Sequence, residues 1–193
     1  MLQICSGVEY MHSQGVTHRD LKIENILVKD EKHFMIGDFG SATRDHSIDY
    51  RNAPRSSVQL YLERIGKSST LMYRAPELVD QYQSDYVSES SDVWALGCII
   101  YLLASCRHPF ADSGNLAILN QDYLMTDFDN FLDERYQDLI RACLLPNTER
   151  ISLGNMIKVL KGEVDVDVTP TFLEVKQKHM KAQERHNQIN GKV

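Results

Sequence analysis

Apolar side chains recur at helical spacing in several stretches of the chain. In residues 1–14 four of them share one helical face, and Gly15 follows as a C-terminal stop: Leu2, Cys5, Val8 and Met11. An 11-residue apolar run ends at Ala104 and predicts a buried core helix over Asp92–Ala104. Shorter periodic patterns predict further helices at Asn115–Asn120, Asp133–Leu144 and Ser152–Leu160.

Two short runs of β-type residues interrupt the helical pattern. They are Asn25–Val28 and Phe34–Ile36, and the polar stretch Lys29–His33 joins them, which predicts a hairpin. From Gly40 to Thr70 the chain is polar, is rich in Ser and Arg, and lacks a clear period. We therefore expect a long loop there, of the kind that is either functional or disordered.

Composition and charge exclude several classes of protein. The net charge of −6 argues against a general nucleic-acid-binding surface, so no nucleic-acid partner is expected. The longest apolar run is well short of the roughly 20 residues that cross a bilayer, so no transmembrane segment is expected, and no secretory signal follows Met1. The four cysteines form no C-x-x-C pair, which favours reduced, buried thiols in a cytosolic protein over a disulfide framework.

The stretch His18–Asn25 carries the most informative chemistry. It places a carboxylate, an ammonium group and a carboxamide within a few residues, and Asp38 follows across the predicted hairpin. Because a hairpin brings its ends together, Asn25 and Asp38 are expected side by side, where their hard oxygen ligands suit Mg²⁺ that carries phosphate oxygens. Asp20 can orient a hydroxyl nucleophile and accept its proton, and Lys22 can neutralise charge on a phosphoryl group. These groups are the ones that in-line phosphoryl transfer requires.

The ordered motifs H-R-D-L-K-x-E-N, D-F-G and A-P-E resemble the large, C-terminal lobe of a eukaryotic protein kinase of the serine/threonine type. The resemblance covers Met1 to Leu160 and implies an α+β, mainly α fold with a short β-hairpin at the catalytic loop. It implies ATP and Mg²⁺ as cofactors and protein substrates with Ser or Thr acceptors. The residues it assigns are catalytic Asp20, Lys22 and Thr70; cofactor-binding Lys22, Asn25, Leu27 and Asp38; metal-binding Asn25 and Asp38; and structural or regulatory His18, Arg19, Phe39, Gly40, Glu77, Asp92 and Arg150.

Three further segments resemble those of one particular kinase family. The segments Gly37–Thr43, Tyr73–Glu77 and Trp94–Leu103 are similar to those of the Numb-associated kinases, which include the adaptor-associated and cyclin-G-associated kinases. This resemblance implies clathrin-adaptor subunits as substrates. It also implies a cytoplasmic location, peripheral at vesicle or plasma membranes.

The small lobe of such a kinase is expected to be absent from these residues. No two glycines stand two apart, so the chain contains no G-x-G-x-x-G loop, and the catalytic motif begins at His18. We therefore expect a kinase large lobe at residues 1–161 and a polar, basic tail at 162–193. The first functional hypothesis is a partial serine/threonine kinase domain that is inactive as the isolated chain. The alternative is a non-catalytic interaction module or decoy built from a free large lobe.

Two questions stay open at this point. By resemblance Asp38–Glu77 is an activation segment, and Arg19 pairs either with a phosphate on it or with a local group. The candidate acceptors are Ser47, Ser56, Ser57, Ser68 and Ser69. The end of the chain, Thr171–Val193, carries a net charge of +3 against −9 for the residues before it. It could form a helix over Thr171–Arg185, with Phe172, Val175, His179 and Gln183 on one face, but a solvated basic tail is favoured.

Overall fold

The computed structural model describes residues 1–44, 47–111, 114–125 and 132–189. Within these ranges the protein is mostly helical, with two small antiparallel sheets. The helices are α1 Leu2–Ser13, α2 Arg55–Ser68, α3 Pro76–Val79, α4 Ser90–Ser105, α5 Gly114–Leu119, α6 Glu134–Cys143, α7 Leu153–Lys161 and α8 Pro170–Ile189. The strands are β1 Ile26–Asp30, β2 His33–Ile36, β3 Ile48–Asp49 and β4 Tyr86–Val87. This architecture confirms the predicted α+β, mainly α fold.

Helix α4 forms the centre of the core. Its first three turns are buried on all sides, as expected for a helix that is apolar around its whole circumference. Helix α6 crosses it closely at Gly97, where an added Cβ would lie 2.5 Å from the Cβ of Cys143. Helices α1 and α7 pack together and contribute side chains to the same core. The predicted helices over 1–14, 92–104, 115–120, 133–144 and 152–160 are thus confirmed, with ends shifted by one or two residues.

The predicted hairpin is also present. Strands β1 and β2 pair antiparallel, with Ile26 opposite Ile36 and Leu27 opposite Met35. The side chain of Gln3 in α1 contacts the hairpin near its turn. It donates to the Lys32 carbonyl at 2.8 Å and accepts from the Phe34 N–H at 2.9 Å. The hairpin is therefore fixed to the helix that precedes the catalytic loop.

The expectation of an irregular loop over residues 40–70 is wrong for its second half. Residues 55–68 form helix α2, which begins directly after Pro54. Its buried side chains, Val58, Tyr61 and Ile65, are spaced three and four residues apart. Tyr61 and Ile65 pack with two residues outside the helix, Leu78 and Val87. Apart from Leu62, which is partly buried against the same cluster, the remaining positions of α2 are polar or exposed. The high average polarity of the segment therefore gave no indication of this narrow apolar stripe.

The expectation of a solvated tail is also wrong for residues 170–189. They form helix α8, which packs on α6, and the stripe named from the sequence faces the protein. Phe172 is fully buried beside Ala142 and Leu145, and His179 is buried as well. The hydrophobic stripe was thin because two large side chains provide most of the contact. Residues 190–193 of the predicted tail lie outside the described residues.

Three of the four cysteines are buried thiols, as predicted, but Cys106 is exposed. It follows the C-terminal turn of α4 with a left-handed backbone, where the chain leaves the core. Burial raises the pKa of Cys5 to about 11 and also raises the pKa values of Cys98 and Cys143. In the described part of the chain, no helix is long and apolar enough to cross a membrane.

Candidate active site

The catalytic loop is bound to the first turn of α4 through Asp92. One oxygen of this buried carboxylate accepts the His18 N–H at 2.8 Å, and the other accepts the Arg19 N–H at 3.0 Å. The Nε2 atom of His12 lies 2.9 Å from the same carboxylate. Arg19 has a left-handed backbone with φ of 68°, which costs a non-glycine residue of order 1 kcal/mol. The two bonds from Asp92 stabilise that conformation and thereby set the direction in which Asp20 leaves the loop.

Asp20, Lys22 and Thr70 form one hydrogen-bonded group. Oδ1 of Asp20 accepts from the backbone N–H of Thr70 at 2.8 Å and from its hydroxyl at 3.0 Å. Oδ2 of Asp20 lies 2.9 Å from Nζ of Lys22, and this Nζ is also 3.0 Å from the Thr70 hydroxyl. The hydrogen bond to Asp20 is the main cause that raises the pKa of Lys22. The structure brings these three predicted residues together, and their catalytic roles stay a prediction.

The predicted metal ligands lie at the open end of the hairpin. Asn25 donates through Nδ2 to the Asp20 carbonyl at 2.9 Å, which leaves its amide oxygen for another partner. The Asn25 carbonyl accepts the Gly37 N–H at 2.8 Å, one residue before Asp38. Asp38 has a left-handed backbone, and its Oδ1 accepts the Gly40 N–H at 3.2 Å. An amide oxygen and a carboxylate on adjacent strand ends are hard ligands of the kind that Mg²⁺ binds together with phosphate oxygens. The residues present therefore fit a magnesium–nucleotide complex.

His18 connects this metal-ligand segment to the catalytic loop. Its ring is buried, and Nε2 lies 3.1 Å from the Gly37 carbonyl, while the Asp20 N–H is 3.4 Å from Nδ1. Both contacts are satisfied when Nε2 carries the proton and Nδ1 accepts. The Phe39 ring lies 5.4 Å from the His18 ring and is half exposed. The catalytic loop and the D-F-G segment are thus linked through one imidazole.

Leu27, the predicted contact for an adenine base, lies on β1 and is half exposed. Its Cδ1 would be 2.8 Å from a Cβ added at Gly37. A larger residue at position 37 would make the end of the Leu27 side chain shift. Leu27 thus provides an apolar side chain near the predicted metal ligands.

The structure supplies a local contact for Arg19, which the sequence left open. The guanidinium carbon lies 4.8 Å from the centre of the Tyr61 ring in α2, and Nη2 lies 3.2 Å from the Tyr61 hydroxyl. This geometry is a cation–π contact with an added hydrogen bond. Arg19 therefore contacts the activation segment through an aromatic ring.

The end of α2 is bound to the segment that carries Thr70. Arg74 donates to the carbonyls of Gly66 and Ser69 and to the Ser69 hydroxyl, so it covers carbonyl groups at the helix C-terminus. The Ser69 hydroxyl also donates to the Ile65 carbonyl at 2.8 Å. Burial lowers the pKa of Arg74, although the guanidinium stays charged. Among the serines named as candidate phosphate acceptors, Ser69 is occupied by these contacts, whereas Ser56 and Ser57 are exposed.

The predicted pairing of Glu77 with Arg150 is present. Nη1 and Nη2 of Arg150 lie 2.7 and 2.9 Å from the two carboxylate oxygens, in a bidentate arrangement. Arg150 also donates to the carbonyls of Leu145 and Ser90, and its guanidinium lies 5.3 Å from the Trp94 ring. The end of the activation segment is thereby anchored to the core beneath α4.

Sequence reasoning missed Tyr61, His12 and Arg74. The spacing of Val58, Tyr61 and Ile65 is a signal that could have located α2 and its buried tyrosine. No local pattern marks His12 as a partner of Asp92, since the two residues are 80 positions apart. Arg74 was quoted only as part of a motif, and its contacts depend on the helix that the sequence did not indicate.

Comparison with known proteins gives a result that agrees with the arrangement of these residues. The model of the protein kinase domain family matches residues 1–159. A probable serine/threonine-protein kinase of Dictyostelium discoideum is 46% identical over 123 residues, which are 62% of this chain and 11% of that protein. A second one from the same organism is 34% identical over 163 residues, 81% of this chain and 19% of its own length. Actin-regulating kinase 1 of Saccharomyces cerevisiae is 32% identical over 185 residues, 89% of this chain and 28% of that protein. The chain thus spans less than a third of each of these relatives.

Proposed function

Because the chain belongs to the protein kinase domain family, we propose that it is the large-lobe part of a serine/threonine protein kinase, which transfers the γ-phosphoryl group of ATP to Ser or Thr hydroxyls of proteins. The observation that carries this proposal is the group formed by Asp20, Lys22 and Thr70. Its lysine stands two residues after the aspartate, which is the form found in serine/threonine kinases.

The chemistry follows from these contacts. Asp20 orients the substrate hydroxyl and accepts its proton as the oxygen attacks the γ-phosphorus and ADP leaves. Lys22 is protonated at neutral pH, and the hydrogen bond to Asp20 raises its pKa further, so it offers positive charge to the transferred group. Asn25 and Asp38 would bind Mg²⁺, which neutralises charge on the phosphates when it is bound. Thr70 fixes Oδ1 of Asp20, and Oδ2 lies 2.9 Å from Nζ of Lys22. Since a carboxylate oxygen has two lone pairs, Oδ2 can still accept the proton of the substrate hydroxyl.

The finer assignment also belongs to this proposal. The matches in the segments Gly37–Thr43, Tyr73–Glu77 and Trp94–Leu103 support membership of the Numb-associated kinases. Clathrin-adaptor subunits then follow as the substrate class, with action in the cytoplasm at vesicle or plasma membranes. The yeast relative is named as actin-regulating, so cytoskeletal proteins form the second substrate class to be assayed.

A second candidate function rests on a different observation. Around the hairpin, five large apolar side chains are at least 40% exposed: Leu27, Val28, Phe34, Met35 and Phe39. Because Leu27 pairs with Met35 and Val28 pairs with Phe34, these side chains lie on both faces of the hairpin. Exposed apolar surface is typical of a protein contact site. A large lobe that binds partners without catalysis would use the hairpin, and such a module would not depend on the Asp20 carboxylate.

The test joins residues 1–193 to the small lobe of one of the relatives and measures phosphate transfer to Ser, Thr and Tyr peptides. We expect Ser or Thr products, and a loss of about 10²–10⁴-fold in turnover for Asp20→Asn, with ATP affinity little changed. Asp30→Asn is the matched control, because Asp30 is an exposed carboxylate in the hairpin that follows the catalytic loop. Equal turnover of the Asp20 and Asp30 variants, or phosphotyrosine as the main product, would refute the proposal.

A further inference from the structure

The first turn of α8 contacts a single acidic residue on the main body. The Thr171 hydroxyl donates to Oε1 of Glu149 at 2.8 Å, and the Thr169 hydroxyl lies 3.4 Å from Oε2. The Thr169 oxygen in addition accepts the Phe172 N–H at 3.1 Å, which makes it the cap of the helix. The start of α8 is therefore fixed by hydroxyl donors that point at one carboxylate.

This carboxylate lies next to the anchor of the activation segment. Glu149 and Arg150 are consecutive, and both backbone N–H groups donate to the Pro146 carbonyl at 3.0 and 2.9 Å. Arg150 then forms the bidentate pair with Glu77. A displacement of Glu149 would therefore move its neighbour Arg150, which binds the end of the activation segment.

Two buried side chains, the contact of the His179 ring with Tyr123 and several surface ion pairs bind the described part of α8 to the protein. Among its described side chains, Phe172 and His179 are the buried ones. Lys176 adds partly exposed contacts of 2.9 Å to Glu134 and Asp138, and ion pairs in such positions contribute little. Most of the stability of a helix in a protein comes from the packing of one face, so α8 would lose helical structure once it left α6. A modest repulsion at its first turn is therefore enough to change its docking.

We propose that Thr171 is a phosphorylation site whose modification releases α8 and loosens the segment around Glu77. A separate Ser/Thr kinase would transfer the γ-phosphoryl group of ATP to Oγ1 of Thr171. The new O–P bond forms as the bond to the β-phosphate oxygen breaks, ADP leaves, and the hydroxyl proton passes to the base of that kinase. The donor to Glu149 becomes a group with nearly two negative charges, so an attractive contact becomes a repulsive one.

Access and geometry favour Thr171 over its neighbour. Thr171 is partly exposed and follows a coil over residues 163–168 that is largely exposed. Thr169 caps the helix. At either threonine a phosphate would also interact favourably with the helix N-terminus, which offsets part of its repulsion by Glu149. Thr171 makes the shorter contact with Glu149, so the charge reversal acts most directly there. This proposal does not depend on catalytic activity of the chain.

The experiment compares hydrogen exchange of the 193-residue chain with and without phosphothreonine placed at position 171 during synthesis. We expect amides of residues 174–185 to exchange at least tenfold faster in the phosphorylated chain, and amides of residues 76–80 to exchange faster as well. Amides of α7 serve as the internal reference. Thr171→Val, which removes the hydroxyl but adds no charge, should give a much smaller change.

A Glu149→Gln background separates repulsion from a general disturbance of the helix. There the phosphate should lose most of its effect on residues 174–185. Unchanged exchange of α8 after phosphorylation would overturn the site, and an effect of equal size in the Glu149→Gln background would overturn its mechanism. Release of α8 without any change at residues 76–80 would overturn the link to the activation segment.

Discussion

Arg150 and Glu77 carry opposite charges at a place where neither side chain reaches water, with exposures of 0% and 1%. Removing two charges from water is costly, and the cost is offset only where geometry and additional hydrogen bonds are good. Here the pair is bidentate, and Arg150 has further acceptors in Leu145 and Ser90. The loss of one partner would leave an uncompensated charge in the core.

We predict that Glu77→Gln lowers the free energy of unfolding by about 3–5 kcal/mol. The double variant Glu77→Leu with Arg150→Met should cost clearly less than the sum of its single variants, because no lone charge stays buried. The exposed pair of Arg51 and Asp85, 3.2 Å apart, provides the control. Asp85→Asn should change stability by less than about 1 kcal/mol. Urea unfolding measures the free energy of unfolding of all these variants. A double variant that loses as much stability as its two single variants together would contradict this account.

At the scale of residues, the sequence predicted which side chains lie close together where a motif fixed both residue type and spacing. Asp20, Asn25 and Asp38 fall at one end of the hairpin because the H-R-D and D-F-G motifs flank it. The partner of Arg19 could not be predicted, because Tyr61 reaches it only after α2 has packed. Contacts between distant segments, such as that of His12 with Asp92, depend on the complete fold and leave no local pattern.

At the scale of elements, α2 gives the activation segment a defined conformation. Its buried face packs with α3 and β4, and Arg74 binds its last carbonyl groups. Arg19 meets Tyr61 on the same buried face. The helix thus connects the catalytic loop with the residues that precede the A-P-E motif, and its loss should free both.

Variants of Tyr61 test this role. Tyr61→Ala removes a buried ring and the contact with Arg19, so we expect a loss of about 3–5 kcal/mol in stability. Hydrogen exchange of the amides of residues 55–77 should then be accelerated by the substitution more strongly than exchange of the amides of α4. Tyr61→Phe keeps the ring and loses only its hydroxyl bond, at a cost of about 0.5–1.5 kcal/mol. Equal exchange in the two variants would show that the stacked ring does not stabilise the segment.

Elements were predicted reliably where apolar residues dominate a face. Helices α1, α4, α6 and α7 have such faces, and their ends were located to within one or two residues. Helices α2 and α8 are mostly polar, and each is stabilised by a few large side chains that contact distant parts of the chain. Their packing is a tertiary effect that overrides a weak local signal.

At the scale of the whole molecule, catalysis depends on a nucleotide contact that these residues only half supply. We predict that residues 1–193 alone show no measurable phosphate transfer from Mg-ATP, because the phosphates lack a glycine-rich loop and its partner lysine, and positioning provides most of the rate. The assay uses a generic Ser/Thr substrate beside an Asp38→Ala control. Incorporation above that control would contradict the prediction.

Stability of the whole protein should decrease in mild acid. Burial, with the nearby charges of Arg141 and Lys178, lowers the pKa of His179 to about 4. The unfolded chain binds this proton near pH 6.5, so the contribution is complete above that pH and is lost as the pH falls toward 4, by at most about 3 kcal/mol. The midpoint temperature of thermal unfolding should therefore fall as the pH is lowered from 7 to 4. His179→Phe should reduce this loss but not abolish it, because burial also lowers the pKa of His108 to about 4. The exposed His33→Gln should leave the loss unchanged.

The position of Cys106 has a practical consequence for labelling. It is the exposed thiol of the four, while the other three are buried and have raised pKa values, so a maleimide dye should modify one site on the folded protein. Cys5, Cys98 and Cys143 become reactive only when the core opens. The number of dye molecules per chain, followed over time by mass spectrometry, therefore measures how fast the core opens. It requires no substitution at all.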